Sequence, residues 1–233
     1  MARGADALFE LGRQTLRALS DELAARQVYV DPGLELRRGN SLLCYYSFQD
    51  GHIYLSVPDV EQPRGKFELF FLRSVVGFNS NGAIIRLLEF LIPWLVAHEV
   101  GHHLRHKYGL LDFDFHGHLL EGIMWDEEQI ANRLAGAFIK HHLTADQKKE
   151  LLDILSRAIA NLSNSLHAHG NVEEMHPARD PVGYVYFHLR WFYLDLKAQE
   201  RSTQEEHELS TIWGKGGQSS LDEFVQVYLR QAG

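Results

Sequence analysis

The chain is short of three things. It has one cysteine, Cys44, so no disulfide can close within it, and a disulfide-stapled secreted scaffold is excluded. Cys44 stands in a strand-like run with no activating motif around it and reads as a small buried apolar residue. Positive charge is also scarce: 23 Lys and Arg against 31 Asp and Glu leave a formal net charge of -8. That balance argues against a broad grip on nucleic acid or anionic lipid. Long apolar runs are missing too. The greasiest stretch, Ala83 to Ala97, is interrupted by Arg86 and Glu89. Its longest clean run, Phe90 to Ala97, falls far short of the ~20 residues a membrane span needs. Met1 to Asp21 carries charges throughout, without the apolar core of a secretory signal. A soluble, cytoplasmic protein is expected.

What is present is a globular composition, 45% hydrophobic and 23% charged over 233 residues, enough for a sizeable core. Leu8, Leu11, Leu16, Leu19 and Leu23 recur at near-helical spacing within residues 5–26. Leu42 to Phe48 and His52 to Val57 are β-rich runs around Gln49-Asp50-Gly51, a hairpin signal. For the apolar stretch Phe67 to Val76, periodicity does not decide between strand and helix. A helix is expected from Ala83 to about Lys107, kinked or restarted at Pro93 and stopped at Gly109. A second is expected over Leu119 to His141. Thr144 with Gln147 is a capping box opening a third, through about Leu166. Ala168 to Asp180 is loop-like, and Asp180-Pro181 opens a helix carrying Tyr184 to Leu196. Ser219 or Ser220 with Glu223 opens a last short helix.

His98-Glu99-Val100-Gly101-His102 is HExxH. Residues four apart share a helix face, so His98 and His102 can turn both imidazoles to one ion. Zinc with three protein ligands keeps an open position for water and lowers its pKa to about 7. Glu99, one residue along, reaches that water rather than the ion and serves as the base. The apolar residues Leu91 to Ala97 suit a buried active-site helix, and Gly101 suits a close approach to a neighbouring element. Arg105 and Tyr108 stand where a metzincin needs Gly and His, so the third ligand must come from elsewhere. A gluzincin takes a Glu from a later helix, often followed four residues on by Asp or Asn. Glu128-Gln129-Ile130-Ala131-Asn132 meets that pattern, with Asn132 expected to bond His98 from behind. On a helical wheel, however, Glu127 sits nearer the apolar stripe of Ile123, Ala131, Leu134 and Phe138, and Glu121 lies on the side of Glu128. The wheel alone leaves Glu127 and Glu128 open.

At these two motifs the sequence resembles the ImmA/IrrE family of metallopeptidases. The likeness lies in His98 to His102, continued by His103-Leu104-Arg105-His106, and in Glu128 to Ala135. Members pair HExxH with a helix of the form E-x-x-A-N/D-x-F-A; Leu134 replaces the usual Phe. Ile139-Lys140-His141 follows Phe138 where the family often has Met-Pro, and nothing from Leu143 onward matches. The likeness covers Trp94 to Ala137. It implies one zinc ion (Zn2+) on His98, His102 and Glu128, with Glu99 as base and a protein or peptide substrate cut at few sites. The implied fold is α+β and zincin-like: mostly helical, with a small N-terminal antiparallel or mixed sheet and an active-site HExxH helix. On this reading residues 1–233 are one domain. Its parts are an N-terminal helix and sheet (1–82), the metal-binding helices (83–142) and a helical C-terminal part (143–233).

An oxyanion needs a donor. His176 and Arg179 in the loop, or Tyr184, Tyr186 and His188 on the next helix, are the candidates. A His-Pro and a downstream Arg at this point in CAAX-type peptidases favour His176. The further histidines His103, His106, His116, His118, His141 and His142 raise a second metal site, against the commoner outcome of locally satisfied side chains. In zincin folds an edge strand upstream of the metal helix binds substrate backbone; the hairpin or the Phe67 to Val76 run is the source expected here. The competing expectation is a catalytically silent zincin-fold module that binds a regulatory protein partner. No nucleic-acid or membrane partner is expected.

Overall fold

A computed structural model of the chain describes residues 4–40, 44–111, 124–165, 181–212 and 220–229. Its class is α+β, mostly helical with one small three-stranded mixed sheet. The N-terminal helix α1 (Ala5–Ala24) buries Leu8, Leu19 and Leu23, the stripe its leucine spacing predicts. Then come β1 (Leu36–Arg38), β2 (Cys44–Tyr46) and β3 (Ile53–Leu55), in the spatial order β1-β3-β2. β2 and β3 pair antiparallel, with Tyr46 opposite Ile53 and Cys44 opposite Leu55, so the Asp50-Gly51 hairpin forms. β1 joins β3 in parallel and was not foreseen, since Leu36-Arg37-Arg38 shows no alternation to find.

The undecided run Phe67 to Val76 is helical, within α2 (Pro63–Val76). Pro63 suits its first turn, and Gly77 ends it in the left-handed conformation. Leu69 and Val76 are buried while Phe67 and Phe70 stay mostly exposed, so both faces are apolar. That is why periodicity cannot classify the run.

α3 (Asn81–Lys107) is the central helix, capped by Ser80, whose Oγ accepts from Ala83 N–H. It runs through Pro93 as one helix, with no restart. Nearly every side chain from Ile84 to Leu104 is buried, and this enclosure outweighs the lost backbone bond at proline. The helix ends at Tyr108, and Gly109 turns the chain with φ 65°.

Among the described residues α4 (Met124–His142) is followed by four α-helices: α5 (Ala145–Ser165), α6 (Pro181–Lys197), α7 (Thr203–Ile212) and α8 (Leu221–Tyr228). The capping box before α5 is complete: Gln147 N–H donates to Thr144 Oγ1, and Thr144 N–H to Gln147 Oε1. Ser220 caps α8 as expected. α7 went unpredicted, although Ser202 and Glu205 form the same reciprocal box. Trp191, Phe192 and Phe224 are among the largest fully buried side chains. Among the described residues no helix is long and apolar enough to cross a membrane.

Candidate metal centre

α3 carries His98, Glu99 and His102 into the interior, each less than a tenth exposed. One ligating atom from each lies within 4.8 Å of the others, so this buried group could hold a metal ion. The 3.1 Å between His98 Nε2 and His102 Nε2 is what residues four apart on one helix face produce. α3 and α4 cross at Gly101. A Cβ there would stand 2.9 Å from Ala131 Cα, so only glycine admits this approach. The predicted close contact is present, and it sets the distance from which α4 reaches the histidines.

From α4, Glu128 brings its carboxylate to 3.2 Å from His98 Nε2 and 3.6 Å from His102 Nε2. One turn on, the fully buried Asn132 places Oδ1 2.9 Å from His98 Nδ1, the pairing expected from the motif. The same oxygen lies 3.2 Å from His188 Nδ1 on α6. As the shared partner of both Nδ1 atoms it orients the two rings so that each Nε2 faces Glu128. His188 Nε2 is buried without a hydrogen bond and lies 3.6 Å from Glu128 Oε2.

Glu127 is buried too, as the wheel indicated, but for another reason. Arg105 Nε and Nη2 each donate to its carboxylate at 2.6 Å, a bidentate pair beside the centre rather than part of it. Glu121, His116, His118, His176 and Arg179 lie outside the described residues.

The donor set fits a tetrahedral divalent ion. Nitrogen and oxygen ligands bound at about 2.0–2.1 Å stand about 3.3 Å apart, close to the separations here. Without metal, burial pulls the His98 pKa down, but the hydrogen bond to Glu128 outweighs it and raises the group, so a proton shared by His98 and Glu128 stands where a metal would bind. Charge agrees with this. Burial pushes the Glu128 carboxyl up, but the His98 hydrogen bond and the surrounding imidazoles outweigh it and hold the group well below the usual range. Burial pushes His102 down to about 4, leaving it neutral. His188 also falls to about 4 by burial. Burial raises Glu99 to about 7 in the metal-free protein, with Glu128 adding and His98 opposing.

Glu99 is held from the sheet. Tyr46 N–H, on β2, donates to its Oε2 at 2.8 Å. A backbone donor leaves no side-chain signature, so nothing in the sequence announced it. From α6, Tyr184 Oη donates to Glu128 Oε2 at 3.0 Å, and burial, with both carboxylates, drives its pKa well up. Of the oxyanion candidates that are described, Tyr184 and His188 reach the centre. Tyr186 packs edge-on against Phe187 instead.

Of the candidates for a second site, His141 packs edge-on against His142, and the other three described ones have separate partners. His103 Nε2 accepts from Asp31 N–H, His106 Nδ1 meets Tyr46 Oη, and His142 Nε2 meets Glu22. Among the described residues they form no second metal group. Burial pushes the thiol of the half-buried Cys44 well up, and Glu99 adds to this, which disfavours the thiolate a nucleophile needs. Comparison with protein-family models, curated proteins and solved structures gave no match to this chain.

Proposed function

We propose that the chain is a zinc-dependent endopeptidase of the gluzincin type, similar to the ImmA/IrrE metallopeptidases, with a zincin-like fold. His98, His102 and Glu128 would hold the zinc, and Asn132 orients His98. The observation that carries this is the approach of Glu128 to both imidazoles of HExxH, with a separate, sheet-held carboxylate beside them. When bound, the zinc would supply a Lewis acid that polarises the scissile carbonyl and acidifies water.

The chain's own residues do the rest. Tyr46 N–H occupies Oε2 of Glu99, which leaves Oε1 to take a proton from the attacking water. Water oxygen bonds to the carbonyl carbon, the C–N bond breaks, and Oε1 returns the proton to the departing amine. Tyr184, a buried hydroxyl that stays protonated, is the donor for the negative oxygen that develops. Its present bond to Glu128 would yield to the substrate. Removal of bulk water by the surrounding helices strengthens each of these interactions.

The test is Glu99→Gln, read on a mixed peptide library by mass spectrometry and on metal content by elemental analysis. The variant is expected to keep one zinc and to lose cleavage by at least about a hundredfold. Undiminished cleavage would overturn the peptidase reading.

A further inference from the structure

A cavity of about 380 Å³ opens beside Glu99 and His98 and runs between α2, α3 and α6. Its polar side chains are those of the centre itself: His98, Glu99, Tyr184 and His188. Among the described residues the rest of the lining is apolar apart from the Cys44 thiol and the unpartnered indole N–H of Trp94, with Leu72 from α2, Leu88 and Leu91 from α3, and Val185 from α6 forming the walls. Trp94 lines the cavity beside the centre, its ring 5.5 Å from that of His98. The volume lies in the range of ligand pockets and far above ordinary packing voids.

Three properties of this space select an occupant. Among the described residues no charged side chain lines it away from the centre, so a charge entering there would be stripped of water without a partner. Its walls come from long helices, so it is held open rather than free to collapse. The cavity reaches β2, which contributes Cys44 to the lining and is an edge strand among the described residues. Tyr46 N–H points from β2 to Glu99, on the side away from β3. Tyr46 N–H is already given to Glu99, so an extended main chain lying there would pair with the backbone at Cys44, and its side chain would enter beside Cys44. The apolar surface also continues outward: Phe71 lines the cavity at 38% exposure, and Phe67 and Phe70 on the same helix are 64% and 65% exposed.

We infer that this cavity is the subsite for one large apolar side chain next to the scissile bond. The substrate is then an extended protein segment with an aromatic or long aliphatic residue at that place and further apolar residues passing over Phe67 and Phe70. This inference rests on the peptidase reading for the word scissile, but the binding it predicts needs no hydrolysis.

The experiment uses zinc-loaded Glu99→Gln protein and unstructured peptides differing at one position: Phe, Leu, Ala or Lys. Binding is followed by tryptophan emission, with Trp94→Phe as the control that assigns the signal to the cavity. Phe and Leu peptides are expected to bind at least about tenfold tighter than Ala, and Lys more weakly still. Val185→Trp and, from the opposite wall, Leu72→Trp fill the space; either one, folded and metal-loaded, should erase the preference. Equal binding of all four peptides overturns the inference, as does a preference that survives both fillings. Binding to phosphatidylcholine vesicles without discrimination among peptides also overturns it and assigns the surface to lipid. Cleavage without side-chain preference would sink the subsite and spare the peptidase. Selective binding with no cleavage by wild type would do the reverse.

Discussion

Glu127 and Glu128 are neighbours in the chain and face different partners. Glu127 is clasped by Arg105 through two 2.6 Å bonds, with side-chain exposures of 5% and 14%. Glu128 turns to the two imidazoles. Substitution should separate the two roles. Glu128→Ala is expected to fold and to lose its zinc, because two imidazoles alone make a weak site. Glu127→Ala is expected to keep zinc and to lose about 3 kcal/mol of stability, because Arg105 is left without its counter-charge. Elemental analysis with urea denaturation on both variants checks the pair, and zinc lost from Glu127→Ala instead would reverse the assignment. The choice between these residues was not legible in the sequence. Both lie close to the inward face of one helix, and what distinguishes them is Arg105, more than twenty positions away. Asn132, by contrast, was legible: four residues after Glu128 places it one turn along, and from there it reaches His98.

Among elements, the contact of α3 with α4 matters most, because the two helices carry all three proposed ligands. Gly101→Ala would put a methyl 2.9 Å from Ala131 Cα, where only movement of the helices can relieve it. The expected cost is about 1–3 kcal/mol, with weaker zinc retention against a chelator competitor. A variant with unchanged melting and unchanged zinc retention would show the crossing to be looser. α4 meets α6 at a second buried charge. Asp195, 2% exposed, is raised above the usual carboxyl range by burial, and Lys140 at 3.0 Å opposes this only in part. Its folded pKa thus exceeds the unfolded value of about 3.9, so the folded state holds the extra proton in the window between them. Asp195 therefore contributes less to stability as pH rises from about 4 through its folded pKa. Against wild type, Asp195→Asn should gain relative stability as pH rises from about 4 through the folded pKa of Asp195. A difference that does not vary with pH, measured by urea denaturation, would contradict this.

For the whole molecule, the centre joins helices from distant parts of the chain. A metal bound there is bound only by the folded state, and folding stability should follow its concentration. At free zinc about a thousandfold above its dissociation constant the gain is about 4 kcal/mol. The melting temperature of wild type is expected to rise with zinc and to fall back with chelator, while that of Glu128→Ala stays put. Equal stabilisation of both proteins would point to binding elsewhere on the acidic surface.

Local chemistry was enough to read much of this from the sequence. HExxH on an apolar helix, the Asp50-Gly51 hairpin, the Thr144 and Ser220 caps and the close approach at Gly101 all rest on contacts between residues near in sequence or on the absence of a side chain. Three features were decided only when the chain closed on itself. α2 is a helix because one of its two apolar faces found a core and the other did not. Glu99 is aimed by a backbone N–H of β2, and a peptide group looks the same at every position in a sequence. The cavity beside it exists because α2, α3 and α6 do not meet there, and empty space between helices has no residue to encode it.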